Sequence, residues 1–256
     1  MRFAFRDLSL SFPAAQGRLE VLRAVNIEAG MGEFVSIVGP SGCGKTSMLR
    51  AIAGFVAPDA GSIEFPATHH RSSRCAMVYQ DNSLFPWSTV IDNACFGLEA
   101  QGVPRAERER LALPLLRRFG LGDRIHAWPH QLSVGMRQRV AVIRVFLSDA
   151  DLLLMDEPFA ALDSYMRLGI QQDLLKIWEL HHKTVLFVTH DLEEAILLSD
   201  RIIVMSDLPS TVVAQFPISF QRPRDFAVTL SDEFVRLKRE IYDRLHLTAA
   251  AHAHAS

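Results

Sequence analysis

Between Gly39 and Thr46 the chain reads Gly-Pro-Ser-Gly-Cys-Gly-Lys-Thr, a match to the phosphate-binding pattern G-x-x-x-x-G-K-[ST]. Glycines at 39, 42 and 44 free the backbone for positive φ and leave no Cβ to hold N–H groups away from a polyphosphate. Lys45 adds a point charge for the β- and γ-phosphates, and Thr46 adds a hydroxyl for Mg²⁺. Pro40, Ser41, Cys43 and Ser47 complete the loop that would enclose the nucleotide. Residues 33–38 upstream read as a short buried strand. Downstream, Met48, Leu49 and Ile52 recur at helical spacing, so the loop opens onto a helix N-terminus. A glycine-rich turn would match by chance in about one chain of this size in a hundred, and the flanking strand and helix lower that further.

The run Leu152-Leu153-Leu154-Met155-Asp156-Glu157 is an apolar strand ending in two carboxylates. Asp156 is placed to bind Mg²⁺, and Glu157 is the natural general base for an attacking water. An acidic turn after a strand is common in itself; following a phosphate loop, it gains chemical meaning. His190 closes a third apolar strand, 184–188, and Gln80 follows a fourth, 75–79. In a parallel sheet the C-terminal strand ends form one ligand-binding edge, and Gly39, Gln80, Asp156 and His190 all sit at such ends.

These residues need a scaffold of strands and helices in alternation. Residues 2–12 alternate polar and apolar side chains and read as an edge strand; 21–27 and 61–65 read as further strands. From about 88 to 148 the texture is helical. Residues 104–119 start with Pro104 at the first helical position and place Leu111, Leu115 and Phe119 on one face. From 152 the pattern alternates strand and helix: 164–180, 184–188, 191–198 and 201–205. It implies an α/β fold with a mainly parallel sheet. A helix over 226–247 is expected to close a single domain of residues 1–248, leaving 249–256 as a flexible tail.

Composition narrows the setting. The 256 residues are 49% hydrophobic, enough for one sizeable packed domain, and a net charge of −2 offers no bulk attraction to polyanions. No apolar run reaches the roughly 18 residues of a membrane span, and early charges argue against a signal peptide. Three cysteines without C-x-x-C spacing suit a reducing compartment. His126 and His130 have i, i+4 spacing, but Trp128-Pro129 should break any helix between them. His69-His70 and His181-His182 read as solvated loop residues, and His252 and His254 as adventitious. Cys43 reads as a tolerated small residue open to alkylation without ATP.

The segment Leu132-Ser133-Val134-Gly135-Met136-Arg137-Gln138-Arg139 resembles the signature peptide of one class of phosphate-loop ATPases, the ATP-binding cassette. The resemblance to the nucleotide-binding subunit of an ABC transporter covers residues 1–245, with every motif in order. It implies a P-loop NTPase core with an N-terminal antiparallel β subdomain and an inserted helical subdomain. By that resemblance Phe12 stands where an aromatic residue stacks on adenine, and Gln80 where a glutamine contacts Mg²⁺ and senses the membrane partner. His190 matches a histidine on the γ-phosphate, and Asp163 an aspartate linking the two sites of a dimer. Ser133 and Gly135 match signature residues acting on ATP bound to the other subunit, which implies a head-to-tail pair of copies.

The signature departs from the usual Leu-Ser-Gly-Gly-Gln at Val134 and Met136, and Arg144-Val145 replaces the more usual Arg-Ala. The segments 80–90, 136–139, 158–163 and 222–225 look similar to the nitrate/sulfonate/taurine importer subfamily. That likeness implies a separate membrane permease, a solute-binding protein, and a peripheral position on the cytoplasmic face of the membrane. Exposed apolar groups at 84–87, on a loop expected to be mobile, are the expected permease groove. The competing reading is a cassette ATPase acting on DNA or ribosomes. Long coiled-coil or zinc insertions, or two cassettes in one chain, would mark it, and the sequence has neither.

Overall fold

The computed structural model describes residues 2–15, 17–65, 75–80 and 83–253. In chain order the elements are β1 (Arg2–Ala14), β2 (Gly17–Gly30), β3 (Phe34–Val38), α1 (Lys45–Ile52), β4 (Ala60–Glu64), β5 (Cys75–Val78), α2 (Val90–Ala100) and α3 (Arg105–Arg118). Then follow α4 (Val134–Leu147), β6 (Leu152–Asp156), α5 (Ser164–His181), β7 (Thr184–Val188), α6 (Leu192–Leu198), β8 (Arg201–Met205), β9 (Val212–Pro217) and α7 (Asp232–Ala253). His69, His70, Asp81, Asn82 and His254 lie outside the described residues. The chain divides into two compact units, Met1–His69 with Thr184–Ser256, and His70–Lys183.

In the first unit β3 runs parallel to both β7 and β8, with Ile37 opposite Val188 on one side and Ile203 on the other. Every residue of β3 and β7 is buried, which is why these strands read as unbroken apolar runs. The antiparallel β9 pairs with β8, with Phe216 opposite Ile202. β9 is missing from the sequence reading, although its burial alternates with period two and only Phe216 is buried. A second sheet, in the order β2-β1-β4, is antiparallel. β1 is therefore its central strand and not an edge. The apolar positions of β1 report burial of Phe3, Phe5, Leu8 and Leu10, with Ala4 buried as well; how many strands flank it is decided by distant segments.

The closing helix also differs from expectation. Residues 226–230 form a separate 3₁₀ turn, and α7 starts only at Asp232, where Ser231 Oγ accepts the Phe234 N–H at 3.2 Å. A serine cap competes with helix continuation, so one apolar period becomes two elements. α7 buries Phe234 and Ile241 against Val38, Ile196, Ile202 and Phe216. It extends through residues 249–253, into the segment expected to be loose.

The Arg-Pro-Arg-Asp segment of the sequence reading has a structural job here. Arg224 is buried, and its Nη1 donates to the carbonyls of Ile196, Leu197 and Ser199 at the end of α6. Arg222 donates to the Leu198 carbonyl at 2.7 Å and pairs with Asp200. Two guanidiniums thus satisfy the orphan carbonyls of a short helix. Burial, then the charge of Arg222, pulls the Arg224 pKa down to about 10, with Asp200 opposing.

In the second unit β5 and β6 are parallel, with Val78 opposite Met155. The helices expected between 88 and 148 belong to one unit with β5, β6 and α5. α3 starts at Arg105 with Pro104 as its cap and continues through Pro114. Its buried side chains are Ala112 and Leu116, with Phe119 just beyond; Leu111 is exposed, contrary to expectation. The salt bridge from the mostly buried Arg108 to Glu99 lies on the face that continues Ala112, so a charged residue marks the inner stripe and hides it from hydropathy. As expected, Pro129 starts a separate turn after His126. His181 and His182 are both exposed, but they end α5 rather than lie in a loop, with His182 left-handed at φ 46°. Among the described residues, no helix is long and apolar enough to cross a membrane.

Arg224→Met should lower the unfolding free energy by about 3 kcal/mol, because several buried carbonyls lose a charged donor. Arg236→Met, on the exposed side of α7, should change it by no more than about 0.5 kcal/mol. Urea titration of both variants checks the difference.

Candidate functional site

The loop between β3 and α1 has the geometry a phosphate cradle requires. Gly42 and Gly44 take φ of 80° and 100°, and Gly44 caps α1 with no side-chain hydrogen bond to the helix. α1 has no acidic residue in its first turn, so the positive end of its dipole is not offset from within the helix. A Cβ on Gly44 would lie 2.4 Å from Val21 Cγ1 of β2. Glycine at 44 is thus required both by its dihedral and by close approach. A Cβ on Gly39 would come within 3.0 Å of Cys43 Sγ and 3.1 Å of the Met205 carbonyl.

Lys45 is buried, and its ammonium donates to the carbonyls of Gly39 and Pro40 at 2.8 Å each. Those bonds hold the side chain folded over its own loop. Thr46 and Ser47 are half-buried in the first turn of α1, while Ser41 and Gly42 are exposed. Cys43 is only 1% exposed, which overturns its expected access to alkylating reagents: the small thiol is packing inside the loop. His190 is exposed two residues beyond β7, and the Ile37–Val188 register sets it past the same strand ends as the phosphate loop. Phe12 is half-buried opposite Leu19 in the β1–β2 pair.

The second unit gathers the other motif residues. Asp156 ends β6 and is buried; Glu157 follows at φ 44°, a left-handed conformation costly for a side chain of its size. The Val78–Met155 register brings Gln80, just past β5, to the same edge as Asp156 and Glu157. Gln80, Val134, Arg137 and Ala161 share the lining of a cleft of about 430 Å³. Ser133 is exposed at the cap of α4, with Oγ accepting the Met136 N–H at 3.2 Å. Gly135 is buried, and a Cβ there would meet Met166 Cε at 2.4 Å. Val134, at 37% exposure, stands out from the first turn of α4. Asp163 caps α5, accepting the Met166 N–H at 3.0 Å.

Within each unit, the sequence-selected residues thus share strand ends and helix starts. Among hard oxygens, the ligand type that suits Mg²⁺, the second unit offers the Asp156 carboxylate and the Gln80 amide at one edge, and the first unit the Thr46 hydroxyl.

A separate groove of about 880 Å³ in the second unit is lined by Met77, Tyr79, Phe85, Phe96, Arg144 and neighbouring residues. Trp87 stands beside it at 73% exposure, stacked 5.5 Å from Phe85, which packs 4.6 Å from Phe96. The loop over 83–89 is held, contrary to the expectation of mobility. Buried Asn93 accepts the Phe85 N–H at 2.8 Å, and its Nδ2 reaches the carbonyls of Phe85, Ser88 and Thr89. Arg144 donates to the Ser83 carbonyl at 2.9 Å and lies over the Phe85 ring. Burial lowers the Arg144 pKa, with Tyr79 opposing. Asn93 and Phe96 escaped the sequence reading; a polar Asn on the apolar stripe of α2 was the available signal.

Comparison with known proteins bears on the same residues. A family model described as ABC transporter matches residues 22–160. The taurine import ATP-binding protein TauB of Rhizobium johnstonii is 42% identical over 250 residues, covering 94% of this chain and 95% of that protein. An uncharacterized ABC transporter ATP-binding protein of Methanocaldococcus jannaschii is 39% identical over 247 residues, with coverage of 96% and 91%. Among solved structures, the dimeric post-hydrolysis state of the ATP-binding cassette MJ0796 bound to ADP and Pi superposes with a TM-score of 0.72 at 29% identity. It covers 86% of this chain and 100% of that one.

Gly44→Ala should reduce ATP affinity at least about a hundredfold, since both the dihedral and the Val21 contact must give. Adding Val21→Ala relieves the contact but not the dihedral, so binding should recover only in part. Titration with a fluorescent ATP analogue measures both variants.

Proposed function

This chain belongs to the ABC transporter family and is an ATPase, and we propose that it is the motor subunit of an importer driving uptake of a small solute through a separate permease. The observation that carries the reading is the Gly42–Gly44 loop on the uncapped N-terminus of α1, in a chain so similar to import ATP-binding proteins over nearly its whole length. Relatives named for taurine import, in Rhizobium johnstonii and in Chromobacterium violaceum at 40% identity, favour a solute of the taurine, sulfonate or nitrate class. The chain would work at the cytoplasmic face of the membrane, fed by a solute-binding protein.

In the proposed cycle ATP is the substrate. The N–H groups of residues 42–46 and the Lys45 ammonium hold the β- and γ-phosphates, and Phe12 supports the adenine. Thr46, Gln80 and Asp156 would hold Mg²⁺, whose charge offsets that of the phosphate oxygens. Glu157 takes the proton of the attacking water, and His190 donates to the γ-phosphate as charge builds on it. Ser133 and Gly135 serve ATP on a second copy of the chain, with Asp163 linking the two sites. Such contacts exist only in the closed pair, so they favour the hydrolytic state over the open one. The dimeric cassette similar to this chain supports that arrangement. A Cβ at 135 would displace the terminal methyl of Met166, a flexible neighbour that can give way.

The groove beside Trp87 is the proposed seat of a short permease helix. An indole 73% exposed on a loop pinned by Asn93 is a preformed apolar anchor, and anchors of this type carry much of the energy at protein interfaces.

Two experiments address this reading. Glu157→Gln keeps the shape of the side chain but cannot take a proton, so turnover should fall at least about a hundredfold while ATP still binds. Sedimentation with ATP should then show a persistent dimer; near-parental turnover would remove Glu157 from the role. Trp87→Ala should leave ATPase activity of the isolated chain intact and cut solute uptake in proteoliposomes with the permease. Normal uptake would place the docking surface elsewhere.

A further inference from the structure

His190 joins a β-strand to a helix too short to orient itself. α6 has seven residues, well under the length at which helices hold in water unaided, so its direction relative to β7 depends on side chains. Both flanks of His190 are tied. Thr189, just before it, is buried at 2% exposure, and its N–H donates to the Ile37 carbonyl of β3 at 3.3 Å. Asp191, just after it, caps α6 by accepting the N–H groups of Glu193 at 2.8 Å and Glu194 at 3.3 Å.

The two flanks are joined through the Thr189 hydroxyl. Thr189 Oγ1 donates to Glu194 Oε2 at 2.7 Å and accepts the Asp191 N–H at 3.0 Å. Glu194 is itself only 5% exposed. A buried carboxylate is a poor way to stabilise a helix, since the same volume of apolar side chain would avoid its desolvation cost. What the carboxylate adds is direction: it ties the first turn of α6 to Thr189, the residue just past β7, across His190. Arg222 and Arg224 fix the other end of the same helix.

We propose that Thr189 and Glu194 are positioning residues for catalysis, forming a brace that sets the backbone of His190 so that its imidazole meets the γ-phosphate. The inference rests on the reading of His190 as the γ-phosphate contact. It requires no contact between the brace and the nucleotide.

Steady-state and single-turnover hydrolysis of ATP by the full chain tests it, with folding followed by thermal melting. Thr189→Val, which keeps shape and removes the hydroxyl, should lower kcat about tenfold through misplacement of the imidazole. KM for ATP should stay within about twofold, because the phosphate loop is untouched. Thr189→Ser should restore kcat. In the His190→Ala background the same Thr189→Val change should lower the residual rate by less than about twofold, since the brace then has nothing to position.

A parental kcat in Thr189→Val, in a protein that His190→Ala inactivates, overturns the brace alone. So does an equal loss from Thr189→Val with and without His190. Full turnover in His190→Ala overturns the premise and the brace together. If Thr189→Val folds poorly, Glu194→Gln and Glu194→Leu decide the matter. The amide keeps an acceptor and should keep kcat, whereas leucine should lose about tenfold, and equal kcat in the two rejects the proposal.

Discussion

A helix of ordinary length leaves its first N–H groups without partners, and where those groups go organises both units of this protein. Four helices begin at motif residues: α1 at the phosphate loop, α4 at Ser133, α5 at Asp163, and α6 just beyond His190. In α4, α5 and α6 a side-chain oxygen at the cap accepts a backbone N–H. α6 goes further, with Glu193 and Glu194 in its first turn. α1 differs from these three: glycine caps it, no side chain at the cap bonds its start, and no acid stands in its first turn.

That choice constrains the surroundings. An uncapped helix start holds its shape only if the loop before it is built rigidly. Here rigidity comes from contact distance. Gly44 lies so close to Val21 that the antiparallel sheet acts as a wall for the loop, and Gly39 is pressed between Cys43 and the Met205 carbonyl of β8. Lys45 closes the loop by bonding its carbonyls. The loop is supported from β2, β3 and β8 together, which explains why a conformation of two left-handed glycines persists.

The second unit solves a different problem, presenting apolar side chains to solvent without collapse. Trp87 packs on Phe85 yet stays 73% exposed, an arrangement that would be lost if residues 83–89 were free to move. Asn93 removes that freedom by bonding four backbone groups of the loop from the buried side of α2, and Arg144 adds a fifth bond at Ser83. A polar side chain buried with its bonds satisfied specifies one conformation more sharply than an apolar one of the same size.

Much of this was legible in the residues themselves. The phosphate loop, the strands ending at Asp156 and His190, and most helices follow from local rules: glycine spacing, unbroken apolar runs and 3.6-residue periodicity. Each rule acts within a dozen residues, so one sequence suffices to read it. The misses share the opposite character. That β1 is central, that β9 pairs with β8, and that α3 buries Ala112 rather than Leu111 all depend on which distant segment arrives alongside. The Asn93 bonds to the Trp87 loop and the Thr189–Glu194 bond span only four to eight residues, but like the packing of Gly135 on Met166 they depend on where side-chain atoms meet, which no periodicity encodes. The sequence by itself determined which chemistry is present, because chemistry resides in residue types at fixed spacing. Tertiary structure alone decided how firmly each group is held, because rigidity comes from which side-chain and backbone atoms meet, near or far in the chain, and residue spacing does not specify that.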